Sequence, residues 1–251
     1  MTGTIPPQMA KLVNLKVLDL RFNFLTGRFP LEFGGEINTE IELNHNREYA
    51  LEELLLGGLS SGDDVQNAFE EIKLTHWVGV SDDTPDGYET YLKNLKYLHI
   101  RHNPTYDDNA GQATGGHYPA GPFFERCSTF RKLEEIIASY AGINGDLRSI
   151  RHLNNLVRLS ASNNSIVGGL FPEGSTNPNR WVQEHHAFPM SIINISLRHN
   201  HLTGTIPPGL FHHAPNLKYL NLSLNYLTGE IPQIEEDGSI LRDLQLSNNQ
   251  L

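Results

Sequence analysis

Two stretches near the end of the sequence say the same thing. Residues 192 to 207 read Ile-Ile-Asn-Ile-Ser-Leu-Arg-His-Asn-His-Leu-Thr-Gly-Thr-Ile-Pro, and residues 217 to 232 read Leu-Lys-Tyr-Leu-Asn-Leu-Ser-Leu-Asn-Tyr-Leu-Thr-Gly-Glu-Ile-Pro, an offset of 25 residues. Both follow LxxLxLxxNxLTGxIP, and self-similarity at a period in this range marks a stacked repeat. This constrains folding more than any other feature of the chain. A unit so short cannot bury its own apolar side chains, so neighbouring units must stack and the chain must run as one elongated array.

Numbering each unit from its first Leu, positions 4 and 6 are apolar and alternate with polar residues, the period of a half-buried strand. Positions 4 and 6 then point inward, and positions 3, 5 and 7 point out. Leu15, Leu18, Leu20, Asn23, Leu25, Thr26, Gly27, Phe29 and Pro30 make the first full unit. Ile41, Leu43 and Asn46 fit loosely, whereas Leu51, Leu54, Leu56 and Leu59 fit better but lack the Asn, so the strand is expected at Leu51 and residues 31 to 50 are expected to be an expanded return segment. Further strands open at Leu95, Leu133, Leu156, Ile192, Leu217 and Leu241, and Ala141 sits where one unit should carry its Asn. The count is about eight strands in a single domain over 1 to 251, with insertions near 60–94, 104–122 and 173–189. Within the first insertion, Asp63-Asp64 ahead of Val65 to Ile72 predicts a short capped helix, and residues 81 to 87 predict a turn.

The repeat resembles the leucine-rich repeat, and its Leu-Thr-Gly-x-Ile-Pro tail is similar to the plant-type subclass of receptor-kinase ectodomains and polygalacturonase-inhibiting proteins. The resemblance implies an α/β fold: a right-handed horseshoe solenoid with a concave parallel β-sheet, about eight repeats, uncapped ends and a second short sheet. It also implies a non-catalytic protein- or peptide-recognition module, part of a receptor-like ectodomain at the cell surface or secreted. An inhibitor of a secreted hydrolase and an intracellular scaffold are the alternatives. Related extracellular domains carry a Cys-paired cap that is absent here, so the chain is expected to be a segment of something longer.

Composition narrows the partners. The formal net charge of -10 argues against a general affinity for nucleic-acid phosphates, which calls for clustered Lys and Arg. No run approaches the roughly 18 apolar residues of a membrane span. The single cysteine, Cys127, precludes an intramolecular disulfide and reads as a small buried residue. No phosphate-binding loop, nucleophile elbow or metal motif is present, so no cofactor and no catalytic residue is expected. The paired histidines His185-His186, His199 with His201, and His212-His213 lack a completing ligand set, and Asp63-Asp64, Asp82-Asp83 and Asp107-Asp108 sit in turn or cap contexts.

Asn23, Asn103, Asn164, Asn200, Asn225 and Asn249 end the strands, where a buried amide can bond the backbone of adjacent turns; they are expected to form a structural ladder. The concave face is the expected ligand surface. Position 7 there holds Arg21, Arg101 and Arg198, and flanking positions add Asp19, Tyr97, His99, His102, Asn194, His199, Tyr219 and Asn221. Arg and Tyr are enriched among interface anchors, and an Arg fork suits a carboxylate, so an acidic peptide or a carboxylated glycan is the expected ligand. Asn163, Asn194 and Asn221 lie in Asn-x-Ser sequons, candidate glycosylation acceptors whose glycans would obstruct that face.

Overall fold

The computed structural model describes residues 1–34, 49–57, 67–72, 78–80, 88–90, 92–103, 123–170, 188–232 and 240–251. In chain order the strands are β1 (Thr2–Gly3), β2 (Val17–Asp19), β3 (Phe24–Arg28), β4 (Glu53–Leu55), β5 (Ala68–Glu71), β6 (Val78–Val80), β7 (Tyr88–Thr90) and β8 (Tyr97–His99). They continue with β9 (Glu135–Ile137), β10 (Asn144–Gly145), β11 (Arg158–Ser160), β12 (Ser165–Gly168), β13 (Asn194–Ser196), β14 (His201–Leu202), β15 (Tyr219–Asn221) and β16 (Asp243–Gln245). Two short helices, α1 (Phe123–Cys127) and α2 (Leu210–His213), lie on the return side.

The repeat dictates the sheet. An eight-stranded sheet runs β2-β4-β8-β9-β11-β13-β15-β16, every pair parallel, with Leu18, Leu54, Leu98, Ile136, Leu159, Ile195, Leu220 and Leu244 in one register row. A strand of three residues is too short to be stable alone, and parallel neighbours on both sides complete its backbone bonding. The first seven side chains of that row are buried, as are those at position 6 from Leu20 to Leu222. They form one continuous core under the sheet, and Leu241, Leu244 and Leu246 at the last coil are only partly covered. The Leu-Thr-Gly tails build a second, interrupted layer beside the first: β1-β3-β5 and β10-β12-β14, both parallel, with bridges joining Thr205, Thr228 and Gln250. Gly27 sits there at φ +77°, where a Cβ would lie 2.8 Å from Thr4 Cγ2.

Among the described residues, seven of the eight coils leave the sheet through the same strained position. Phe22, His102, Tyr140, Asn163, His199, Leu224 and Asn248 all occupy position 8 with φ between 56° and 58°, the left-handed region that disfavours branched and bulky side chains. The turn lets the next residue, the ladder asparagine, drop inward. Asn164 donates to the carbonyls of Ala138 and Ala161 at 2.9 Å and accepts from the amides of Ala141 and Ile143 at 3.0 Å. Asn200, Asn225 and Asn249 repeat this pattern one coil further on, each donating to two carbonyls and accepting from the amide two residues past the previous Asn position. Asn103 donates to Arg101 O and accepts from Phe69 N, and Asn23 donates to Leu20 O and Arg21 O. At Ala141, which carries no amide side chain, the Ile100 carbonyl one coil back takes the Asn103 amide instead.

One expectation is overturned. The expected helix over 65–72 is replaced, from Ala68 to Glu71, by strand β5 paired with β3. Asn67, 2% exposed, is the ladder residue of this coil, which the repeat spacing leaves without one. It donates to Leu20 O and Leu56 O and accepts from Leu25 N. The insertion therefore falls between a strand and its own asparagine, and tertiary pairing of the Phe69 segment outweighs a local capping signal. Asp63, Asp64, the turn at 81–87, Ile41, the insertion at 104–122, His185, His186, Asp82, Asp83, Asp107 and Asp108 lie outside the described residues, as do residues 35–48 of the return segment and 173–187 of the third insertion. Cys127 is fully buried, and burial pushes its thiol pKa up.

Candidate concave recognition face

The register that buries position 4 sets positions 3 and 5 in rows on the opposite face. Position 3 runs Val17, Glu53, Tyr97, Glu135, Arg158, Asn194, Tyr219 and Asp243; position 5 runs Asp19, Leu55, His99, Ile137, Ser160, Ser196, Asn221 and Gln245. Position 7 supplies Arg21, Gly57, Arg101, Ser139, Ser162, Arg198, Ser223 and Ser247. All eleven residues expected on this face lie in these rows or, for His102 and His199, at the strained position beside them.

What those side chains offer a ligand differs from what spacing suggests. Arg21 is committed to Asp19 through Nε and Nη2 at 2.9 and 2.6 Å; the Arg21 hydrogen bond holds the Asp19 carboxyl below its ordinary value and raises the guanidinium. Arg101 is only 7% exposed, with its guanidinium carbon 5.6 Å from the Tyr140 ring centre. His102 stacks on the same ring at 4.5 Å. Thus the expected track of three arginines is corrected to one accessible member, exposed Arg198, which stands between the short side chains of Ser162 and Ser223.

His99 is likewise withdrawn from solvent, at 5% exposure between Leu55 and Ile137. Its Nε2 lies 2.6 Å from Glu135 Oε1, and Arg158 Nη1 approaches the other oxygen at 3.3 Å. A carboxylate only accepts, so Nε2 carries the proton. The His99 hydrogen bond, with Arg158 behind it, depresses the Glu135 pKa. Tyr97 donates its hydroxyl to Glu134 at 3.2 Å. Along the rim, Glu52 bridges Lys16 and Lys96 at 3.2 and 2.9 Å.

Toward β11–β16 the floor is built of short polar side chains, with Arg158, Arg198 and Asp243 as its charged members. Ser139 meets Ser160 at 3.2 Å and Ser162 meets Ser196 at 2.8 Å. Asn221 donates to Gln245 and accepts from the amide and hydroxyl of Ser223. Tyr219 is 38% exposed and Asn194 half-buried beside it. His199 Nδ1 bonds Asn163 Oδ1 at 2.8 Å. Of the three sequon asparagines, Asn194 opens β13 and Asn221 closes β15 on the concave sheet, while Asn163 occupies the left-handed turn that follows β11. Among the described residues no three His, Cys, Asp or Glu side chains cluster as metal ligands, and no helix is long and apolar enough to cross a membrane.

Comparison with known proteins places the repeats. Family models described as leucine rich repeat match residues 14–35 and 192–251. The receptor-like protein CLAVATA2 of Arabidopsis thaliana is 44% identical over 62 residues, 25% of this chain and 8% of that protein. Among solved structures, a TDR receptor aligns over 99% of this chain and 37% of its own, with TM-score 0.62 and 24% identity. The Arabidopsis receptor kinase HAESA, solved with the peptide hormone IDA and the co-receptor SERK1, aligns over 99% of this chain and 32% of its own, again with TM-score 0.62 and 24% identity. This chain therefore spans about a third of the solved ectodomains whose fold it shares and a small part of the curated relative.

Proposed function

We propose that this leucine-rich-repeat solenoid is a non-catalytic recognition module that binds an extended polypeptide along the concave face of its eight-stranded sheet. One observation carries the reading: a single registered surface presents exposed Arg198 and Tyr219 beside Asn194 and Asn221 over a floor of serines short enough for a ligand backbone to approach. The floor and its flanks have the composition of an interface, aromatic and Arg anchors within a polar surround. The receptor-like reading of the whole protein draws further support from the local match to a receptor-like protein and from the fold shared with a receptor kinase solved with a peptide hormone and a co-receptor. A carboxylated glycan or uniformly acidic peptide is less favoured, because Arg21 is neutralised by Asp19 and Arg101 is buried.

Occlusion tests the reading. Ser196→Trp places a bulky ring in the centre of the concave floor, whereas Val167→Trp changes an exposed side chain of the second layer. With partners captured from randomised peptide display, Ser196→Trp is expected to abolish capture and Val167→Trp to leave it unchanged. Equal capture by both variants refutes the assignment to this face.

A further inference from the structure

Most charges on the concave face are already spent on one another. Across positions 3, 5 and 7, Asp19 is held by Arg21 and Glu135 by His99 and Arg158, Arg101 is buried against Tyr140, and Asp243, at the last strand, keeps its charge but accepts a hydrogen bond from the neutral Gln245 amide. Among the described residues of these rows, two charged side chains remain with no hydrogen-bond or ion-pair partner: Glu53 on β4 and Arg198 after β13. They are opposite in sign and stand four strand steps apart, Glu53 at position 3 and Arg198 at position 7 of their coils. Glu53 is next to Tyr97 in register, so a cation placed there meets a carboxylate and an aromatic ring together, which favours an ammonium or guanidinium. Arg198 rises between Ser162 and Ser223 with its whole fork of donors available, which suits a carboxylate.

From this we infer the chemistry of the ligand that the proposed function requires: an extended, dipolar peptide segment with a cationic residue seated at Glu53 and Tyr97 and an anionic group, a side chain or a terminal carboxylate, at Arg198. The inference rests on the concave-face reading and adds polarity and length to it. From β4 to β13 there are four strand steps through β8, β9 and β11, about 19 Å at ~4.8 Å each, and positions 3 and 7 differ by about 13 Å along the strand. The diagonal is ~23 Å, the length of about seven extended residues at ~3.3 Å each. Between the two ends the ligand crosses His99, Ile137, Ser160 and Ser162, a floor with no unpaired charge, so the intervening residues are selected for extension rather than charge.

The test uses pools of blocked heptapeptides with five randomised central positions, their ends being Lys and Glu in both orders, Lys and Lys, or Glu and Glu. Retention on immobilised protein is measured for the parent, Glu53→Lys and Arg198→Glu. The parent is expected to retain the Lys/Glu pools at least tenfold over either like-charged pool. Glu53→Lys is expected to switch the preference to Glu/Glu and Arg198→Glu to Lys/Lys. Shortening the random segment to two residues is expected to remove the preference, since the ends no longer span the face. An unchanged rank order across the three proteins overturns the inference, and Ser196→Trp then separates the two ideas: capture lost in that variant keeps the concave face as the binding surface without this polarity. No retention of any pool by the parent overturns both.

Discussion

Replacing Asn164 by Ala removes the best-connected rung of the ladder, and the structure sets the size of the effect. Four hydrogen bonds of 2.9 to 3.0 Å disappear. The Ala161 carbonyl keeps a partner in Asn200, while Ala138 O, Ala141 N and Ile143 N each lose their bond to this side chain. The donor and acceptor atoms of these coils are buried in the middle of the array, where water cannot substitute readily. At ~1 kcal/mol for each of these groups, the low end of the usual range, and up to ~1 kcal/mol in all for lost packing, Asn164→Ala is expected to cost about 3–4 kcal/mol. Asn249→Ala makes the comparison. Its bonds lie at the partly exposed last coil, and Leu222 O retains Asn225, so water can replace much of what is lost and the expected cost is about 1 kcal/mol. Equilibrium urea unfolding reads the two variants, and hydrogen exchange reads the Ala141 and Ile143 amides directly. Equal destabilisation by the two substitutions, or unchanged protection at Ala141 and Ile143 in Asn164→Ala, refutes the reasoning.

Leu224, half-buried at φ 56°, pays for a backbone conformation that Asn adopts more readily, and Leu224→Asn is expected to raise the thermal midpoint through about 0.5–1 kcal/mol; a fall of the same size counts against strain at position 8. Gly27→Ala meets both φ +77° and Thr4 Cγ2 at 2.8 Å, and is expected to cost about 1–3 kcal/mol by urea unfolding, a loss that the companion Thr4→Ser change, which removes the methyl, partly restores. Glu135 has a depressed carboxyl pKa in the folded protein, so its contribution is present above its ordinary value of 4.5 and is lost as pH falls through the lowered value. The stability gap between parent and Glu135→Gln is therefore expected to be largest at pH 5 to 7 and to shrink below about pH 4; a gap that widens on acidification contradicts the assignment.

The inward rows were legible because burial imposes a strict period: Leu18 to Leu244 recur wherever a strand must face the core, and the same spacing located Asn164, Asn200, Asn225 and Asn249. Asn67 was missed because it follows Leu51 by sixteen residues instead of eight, although Asn67-x-Phe69 repeats the Asn23-x-Leu25 pattern at the start of a tail. The outward rows were legible as positions and not as chemistry. Periodicity puts Arg21, His99 and Arg101 on the same face as Arg198, but whether each is available depends on residues of the same or a neighbouring coil: Asp19, Glu135 and Tyr140. Those partners lie two, 36 and 39 residues away, and no local pattern marks them. The left-handed residue at position 8 was hidden for another reason: it is Phe, His, Tyr, Asn or Leu in different coils, and Tyr140 makes the same turn ahead of Ala141 as the others make ahead of an asparagine, so the turn belongs to the path of the coil and no residue type marks it.

The most direct test of recognition on the concave sheet is a hydrogen-exchange footprint of the protein with a retained heptapeptide bound. The account predicts added protection at residues 53–57, 97–101, 135–139, 158–162 and 194–198, on strands β4, β8, β9, β11 and β13 and the residues that follow them, with no change along β12 and β14. Protection confined to the insertions at 60–94 and 104–122, or to the second layer, would contradict it.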